Sequence, residues 1–225
     1  MIIVTGGASG LGAEISKSLR SNGENVITIS RRTVVGDMNH VSCDLADYSS
    51  LKNAYKRISR INTDVNALIN CAGIASMNLA MTTPSHVTER LVKTNLIGTI
   101  FANQIFAPLL IKSGGGRIIN FSTIAVSIGL KGESIYTATK AGVEAFSRTF
   151  ANELSNFNIT VNCIAPGPIK TSLLNGISDE QIKSIVNRQI IKKQMEPSNV
   201  VRMVNLLLSD CSADLTGQVI HVGGV

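Results

Sequence analysis

The sequence predicts a single-domain, three-layer α/β sandwich, with helices on both faces of a seven-stranded parallel sheet. Three observations carry that prediction. Short runs rich in Val and Ile alternate with segments of helical period along nearly the whole chain. A glycine turn, Gly6-Gly7-Ala8-Ser9-Gly10-Leu11-Gly12, joins the first such run to a segment in which Leu11, Ile15 and Leu19 repeat on one face. No Pro/Gly/Ser-rich linker or shift in composition divides the 225 residues, a length that buries one substantial core.

The first strand, Ile2-Ile3-Val4-Thr5, runs through the glycine turn into the first helix, and this arrangement makes a diphosphate site. Unpaired N–H groups and the positive end of the helix dipole face the turn, and glycines remove the Cβ atoms that would hold a phosphate away. Strand 2, Val26–Ser30, follows at the spacing of a dinucleotide-binding βαβ unit, so the fold is expected to be Rossmann-like. Strand 3 is expected over Asn39–Cys43. Only about eight residues separate it from Ser30, fewer than the dozen a crossover helix takes, so residues 32–38 are expected to form a loop or single turn.

Ser49 or Ser50 caps a helix carrying Leu51, Ala54, Tyr55 and Ile58, and Val65–Asn70 is strand 4, closed by Cys71-Ala72-Gly73. His86–Lys112 reads as one long helix, stopped by Gly114-Gly115-Gly116 before strand 5, Arg117–Ser122. Ser134–Phe157 is a second long helix, with Val143, Phe146, Phe150 and Leu154 on one stripe, leading into strand 6, Ile159–Ile164. Pro166-Gly167-Pro168 breaks the chain, and Ser178 with Gln181 forms a capping box for a short helix. Ser198–Ser209 is an apolar helix before strand 7, Gln218–Val222, giving seven strands and about six helices.

Composition excludes several classes of function. With 44% hydrophobic and 16% charged residues the chain is an ordinary globular protein, and the absence of Trp argues against a stacking platform for single-stranded nucleic acid. The net charge of +6 comes from scattered Lys and Arg, so a mildly basic enzyme with anionic ligands is expected, with no nucleic-acid partner. Cys43, Cys71, Cys163 and Cys211 lack C-x-x-C spacing and read as reduced thiols, with no metal site. With a strand expected from residue 2, no signal peptide is expected, and no apolar run is expected to reach the ~18 residues of a membrane span. The expected location is cytoplasmic, with no membrane partner.

Tyr136 and Lys140 lie four apart on one helix face. Spacing alone carries little, because Tyr48 and Lys52 repeat it. Position separates the two pairs: Tyr136 follows Ser122, at the carboxyl end of a central strand where open α/β sheets bind ligands, whereas Tyr48 follows an edge strand and reads as a surface pair.

These residues, with Gly6-x-x-x-Gly10-x-Gly12, Asn70-Cys71-Ala72-Gly73, Asn95 and Pro166-Gly167 with Thr171, resemble the short-chain dehydrogenase/reductase family, in particular its 3-oxoacyl carrier-protein reductase-like members. The order and rough spacing hold across nearly the whole chain. Departures are Cys71 in place of an Asn, His221 where an Asp usually precedes the final glycines, and the shortened link from strand 2 to strand 3. The resemblance implies a catalytic set: Tyr136 as general acid/base, Lys140 lowering its pKa and holding the nicotinamide ribose, Ser122 bonding the substrate oxygen, and Asn95 holding a relay water. The implied cofactor set adds Ser9, Leu11, Asp44 (on the adenine amino group), Leu45 and Ile169 to the glycines, Asn70, Ala72, Gly73, Pro166, Gly167 and Thr171. A two-fold pairing of the helices His86–Lys112 and Ser134–Phe157 is also implied, hence a homodimer or homotetramer.

Ser30, Arg31 and Arg32 end strand 2, where an NAD site would carry an acidic residue for the ribose 2′-hydroxyl. A serine followed by two guanidiniums suits a 2′-phosphate, so NADP(H) is the expected cofactor. The expected activity is interconversion of a small-molecule carbonyl and a secondary alcohol. The alternatives are a catalytically idle NADP-binding regulator and a sugar-nucleotide epimerase, the latter lacking a separate C-terminal substrate domain. Walls from Ile74–Ala80, Thr123–Leu130 and Pro168–Ile190 read as largely apolar, with no charge partner for a defined substrate.

Overall fold

Along β1 (Ile2–Thr5), Ile3 enters the core on one side of a sheet and Ile2 and Val4 the core on the other, the period-two alternation of a strand covered on both faces. In the computed structural model, which describes residues 1–61, 64–174 and 176–225, six further strands flank it. They are β2 (Val26–Ser30), β3 (His40–Ser42), β4 (Ala67–Asn70), β5 (Gly116–Phe121), β6 (Ile159–Pro166) and β7 (Val219–Val222). All pairings are parallel, in the order β3-β2-β1-β4-β5-β6-β7. The order reverses between β1 and β4, which opens a crevice at the carboxyl ends of the central strands.

The helices among the described residues are α1 (Gly10–Ser21), α2 (Tyr48–Ile61), α3 (Ser85–Leu91), α4 (Gly98–Lys112), α5 (Ala125–Ile128), α6 (Ser134–Glu153), α7 (Asp179–Arg188) and α8 (Pro197–Leu208). Ile15 and Leu19 of α1 share one core with Val200, Val204 and Leu207 of α8. Leu51, Ala54 and Ile58 of α2 share the opposite core with Phe106 and Leu110 of α4 and Ala151 of α6. This is the expected three-layer, Rossmann-like sandwich. Residues 32–38 hold turns and no helix, as the short link requires.

The long helix expected over His86–Lys112 is interrupted. Val92–Ile97 winds as a π-helical segment between α3 and α4, and such insertions recur at functional sites. The continuous helical stretch Ser85–Lys112 is also long and apolar enough, by length and composition, to cross a membrane, which corrects the reading that no run reaches that length. More than half of its most apolar window is buried inside the protein, as in a core helix. The helix expected to reach Phe157 stops at Glu153, because a 3₁₀ turn and Asn158 at φ 55° redirect the chain into β6. The Ser178/Gln181 capping box forms as expected. Cys43 and Cys163 are buried, Cys71 is half-buried and Cys211 exposed, all as free thiols.

Candidate active site

A cleft of about 450 Å³ runs across the carboxyl ends of the central strands. At one end it is lined by Ser30, Arg31 and Arg32 after β2 and by Asp44 and Leu45 after β3. Gly6, Ser9, Gly10, Leu11 and Gly12 floor its middle, opposite Ala72 and Gly73. Ser122, Tyr136 and Lys140 line the far end with Pro166, Gly167, Ile169 and Thr171. Residues distant in sequence thus meet along one groove.

The glycine turn fits the diphosphate of a dinucleotide. Gly6 sits at φ +71°, and a Cβ there would meet the Ala72 backbone at 2.8 Å. A Cβ on Gly12 would come within 2.4 Å of the Gly6 carbonyl oxygen. Ser9, at the N-cap of α1, makes no side-chain capping bond, so the first-turn N–H groups remain available to an anion. Gly7, which the sequence leaves without a role, serves packing: a Cβ there would lie 2.6 Å from Thr28 Cγ2 on β2.

The Ser30–Arg32 turn rests on a residue that the sequence does not flag. His40, the first residue of β3, is buried beneath it, with Nε2 2.7 Å from the Arg32 carbonyl oxygen and Nδ1 2.8 Å from Thr28 Oγ1. A carbonyl oxygen only accepts, so Nε2 carries the proton and donates.

Two expected site residues take other roles. Asn70 does not line the cleft: its Nδ2 donates to Asn120 Oδ1 at 2.8 Å and its Oδ1 accepts from Thr5 Oγ1 at 3.5 Å. Asn103 and Ser147 extend that buried network through Asn120, fixing the ends of β1, β4 and β5 beneath the site. Asn95 is likewise fully buried and does not face the cleft. Its Oδ1 accepts from Ile74 N at 2.8 Å, while its Nδ2 donates to Ile74 O at 2.8 Å and to Thr139 Oγ1 at 3.3 Å. Both amide hydrogens are occupied, so Asn95 ties the turn after β4 to α6. The π-helical winding around it widens the turn that carries this side chain.

The Tyr136 phenol is held above its ordinary range, first by burial and then by the charge of Glu133, while the Thr123 side chain works the other way. This reverses the expectation that Lys140 depresses it in the protein alone. Lys140 Nζ donates to the Phe121 carbonyl oxygen at 2.8 Å, and burial lowers its pKa to about 8, against the opposing influence of the Cys71 and Cys163 thiols. Ser122 Oγ lies 2.5 Å from Glu144 Oε1. While the hydroxyl donates to that carboxylate, it offers the cleft only lone pairs. Glu144 follows Lys140 by four positions and Tyr136 by eight, a helical spacing from which it was legible.

Tyr48 and Lys52 stay apart from all of this. Tyr48 is 39% exposed, packs edge-on against Phe101 with ring centroids 4.9 Å apart, and carries Lys52 Nζ 4.8 Å above its ring. The pair is a surface cation–π contact, as the sequence indicates.

A parallel sheet whose switch point joins an anion-binding glycine turn to a buried phenol and ammonium defines an oxidoreductase that uses a nicotinamide dinucleotide. Residues 6–224 match the family profile described as enoyl-(acyl carrier protein) reductase. The chain belongs to the short-chain dehydrogenase/reductase family. Among its relatives, the 3-oxoacyl-[acyl-carrier-protein] reductase FabG of Staphylococcus epidermidis is 31% identical, the alignment covering 99% of this chain and 96% of that one. Carbonyl reductase family member 4 of Xenopus tropicalis is 32% identical over 98% of this chain and 95% of its own. A short-chain dehydrogenase/reductase from Mycobacterium ulcerans superposes with a TM-score of 0.90 at 26% identity, covering 98% of this chain and 87% of that one. The ligand-free aldohexose dehydrogenase of Thermoplasma acidophilum shares the fold, with a TM-score of 0.89 at 24% identity, covering 99% and 92%.

Proposed function

We propose that the protein is an NADP(H)-dependent carbonyl reductase, reversibly an alcohol dehydrogenase. The observation that carries this reading is the joining of a basic pocket, Ser30-Arg31-Arg32, to Ser122, Tyr136 and Lys140 by one continuous cleft over the glycine turn. Arg31 and Arg32 would hold the 2′-phosphate, the turn and α1 the diphosphate, and Lys140 the nicotinamide ribose. A dihydronicotinamide held there would supply the hydride for the carbonyl carbon of the substrate.

Tyr136 Oη gives its proton to the carbonyl oxygen, so that carbonyl, hydride and proton together become the alcohol. Its raised pKa makes the phenolate left behind a strong base. Lys140, with a pKa near 8, is then the stronger acid of the two and returns a proton to the phenolate near neutral pH. Ser122 turns its hydroxyl from Glu144 to the substrate oxygen, and Asn95 positions the turn at Ile74. Reduced thiols fit a cytoplasmic location, and α4 with α6 would form the interface of a homodimer or homotetramer.

NADPH oxidation followed by absorbance against a panel of ketones, 3-oxoacyl thioesters and keto-sugars tests the reading. Turnover with at least one class is expected. No turnover with any class would leave an idle NADP-binding regulator, and product formed without net oxidation of NADPH would indicate an epimerase.

A further inference from the structure

The proposed chemistry leaves one buried charge unused. Glu133 lines the cleft three residues ahead of Tyr136, and only 8% of it is exposed. A carboxylate at the N-cap of a helix ordinarily accepts from the first-turn N–H groups, yet Glu133, at the N-cap of α6, makes no side-chain capping bond. Its backbone alone is engaged, accepting from Thr137 N at 2.7 Å and donating to Leu130 O at 3.2 Å. Among the described residues its carboxylate enters no ion pair. Burial raises its pKa. Packing does not explain it, since an apolar side chain would fill the same space without that penalty.

The cleft that Glu133 lines also carries the apolar residues Ile124, Leu130, Pro168, Leu174, Ile177 and Ile185. A ligand in the cleft can therefore supply the donor that the protein does not. Glu133 and Tyr136 line the same cleft, and the Glu133 charge is felt by the Tyr136 phenol, so a small molecule that presents its reacting oxygen to Tyr136 and a donor to Glu133 carries the two close together, most compactly on neighbouring carbons.

We infer that Glu133 is the substrate-recognition carboxylate of this site, accepting a hydrogen bond from a hydroxyl or amino group on the carbon next to the reacting carbinol or carbonyl carbon of an otherwise apolar substrate. This rests on the proposed carbonyl/alcohol activity and narrows it to 1,2-diols, 1,2-amino alcohols and their α-substituted ketones. A simple ketone carries no donor at that carbon and leaves Glu133 without one, and a site built to bond a donor rejects the analogue that lacks it.

The test is dehydrogenation, with oxidised NADP, of three compounds of one unbranched carbon skeleton: the simple secondary alcohol, the vicinal diol and the vicinal amino alcohol. The native protein should favour the diol or the amino alcohol over the simple alcohol by about 10²-fold or more in kcat/KM. The favoured arm identifies a hydroxyl or an ammonium donor. Glu133→Leu, which keeps the volume, should collapse that ratio to near unity. Glu133→Gln, which keeps the shape and can still accept from a hydroxyl, should lose preference for the amino alcohol and reduce that for the diol about tenfold. A native protein that turns over the simple alcohol equally well, or a ratio unchanged in both variants, overturns the inference while the carbonyl/alcohol activity stands. Failure of the native protein to turn over all three removes the underlying activity and the inference with it.

Discussion

Replacing Lys140 by Met should stabilise the protein while removing its activity. Burial lowers the Lys140 pKa from the ordinary 10.5 to about 8. That depression of about 2.5 pH units, at about 1.4 kcal/mol each, means that burying the charged form costs about 3 kcal/mol. Met fills a similar volume without charge, but leaves the Phe121 carbonyl oxygen without its donor, which gives back about 1–2 kcal/mol. The net gain at neutral pH is about 1–2 kcal/mol, or a rise in Tm of about 4 °C for a chain of this size. The pH dependence fixes the cause. The group has a lower pKa folded than unfolded, so the penalty is fully present below about pH 8 and is relieved as pH rises toward 10.5. Native stability relative to the Met variant should therefore climb by about 2 kcal/mol between about pH 7 and about pH 9.5. Denaturant unfolding of both proteins at the two pH values reads this difference, and the thiols and phenols common to both largely cancel. A difference that stays flat with pH, or a Met variant less stable at pH 7, would refute the claim that the buried ammonium is a destabilising element kept for its chemistry.

Tyr136→Phe should lower kcat and kcat/KM together by about 10²–10⁴ while NADPH binding, followed by fluorescence titration, stays nearly native; Tyr48→Phe should leave turnover as it is. Near-native turnover by Tyr136→Phe, with Tyr48→Phe inactive, would place the active site on the wrong tyrosine. Arg31→Asp should weaken NADPH far more than NADH in calorimetric titration, because a charge-assisted contact to phosphate becomes a repulsion. His40→Phe should weaken NADPH less steeply, about tenfold, by freeing the Arg32 carbonyl that the imidazole holds at 2.7 Å; unchanged affinity would reduce His40 to packing. Light scattering at micromolar concentration should give a dimer or tetramer, and a monomer would end the expectation that the helices His86–Lys112 and Ser134–Phe157 pair across a two-fold axis.

Much of what local pattern sets was legible in the sequence, though the helix expected to start after Ser49 or Ser50 begins at Tyr48. The glycine turn announced itself because Gly6, Gly10 and Gly12 fall between a Val/Ile run and an amphipathic helix, and the missing crossover helix followed from counting residues between Ser30 and the next strand. Placing Tyr136 over Tyr48 needed only the strand after which each falls. What could not be read is which polar atoms face each other across elements. Asn70 and Asn95 look like cleft residues in sequence, yet one is spent on Asn120, fifty positions away, and the other on the backbone of Ile74, twenty-one away. The direction of the Tyr136 and Lys140 pKa values was equally hidden, because it depends on how completely the surrounding chain excludes water, and here desolvation is the largest influence on both groups, and the charge acting on the phenol is that of Glu133. Glu133 and Glu144 sit at helical spacing from Tyr136, but spacing places a carboxylate on a face without saying what meets it there. Only the packed chain leaves Glu144 against Ser122 and Glu133 without a donor, since hydrogen bonding between distant segments is a property of their approach in space and not of either segment alone.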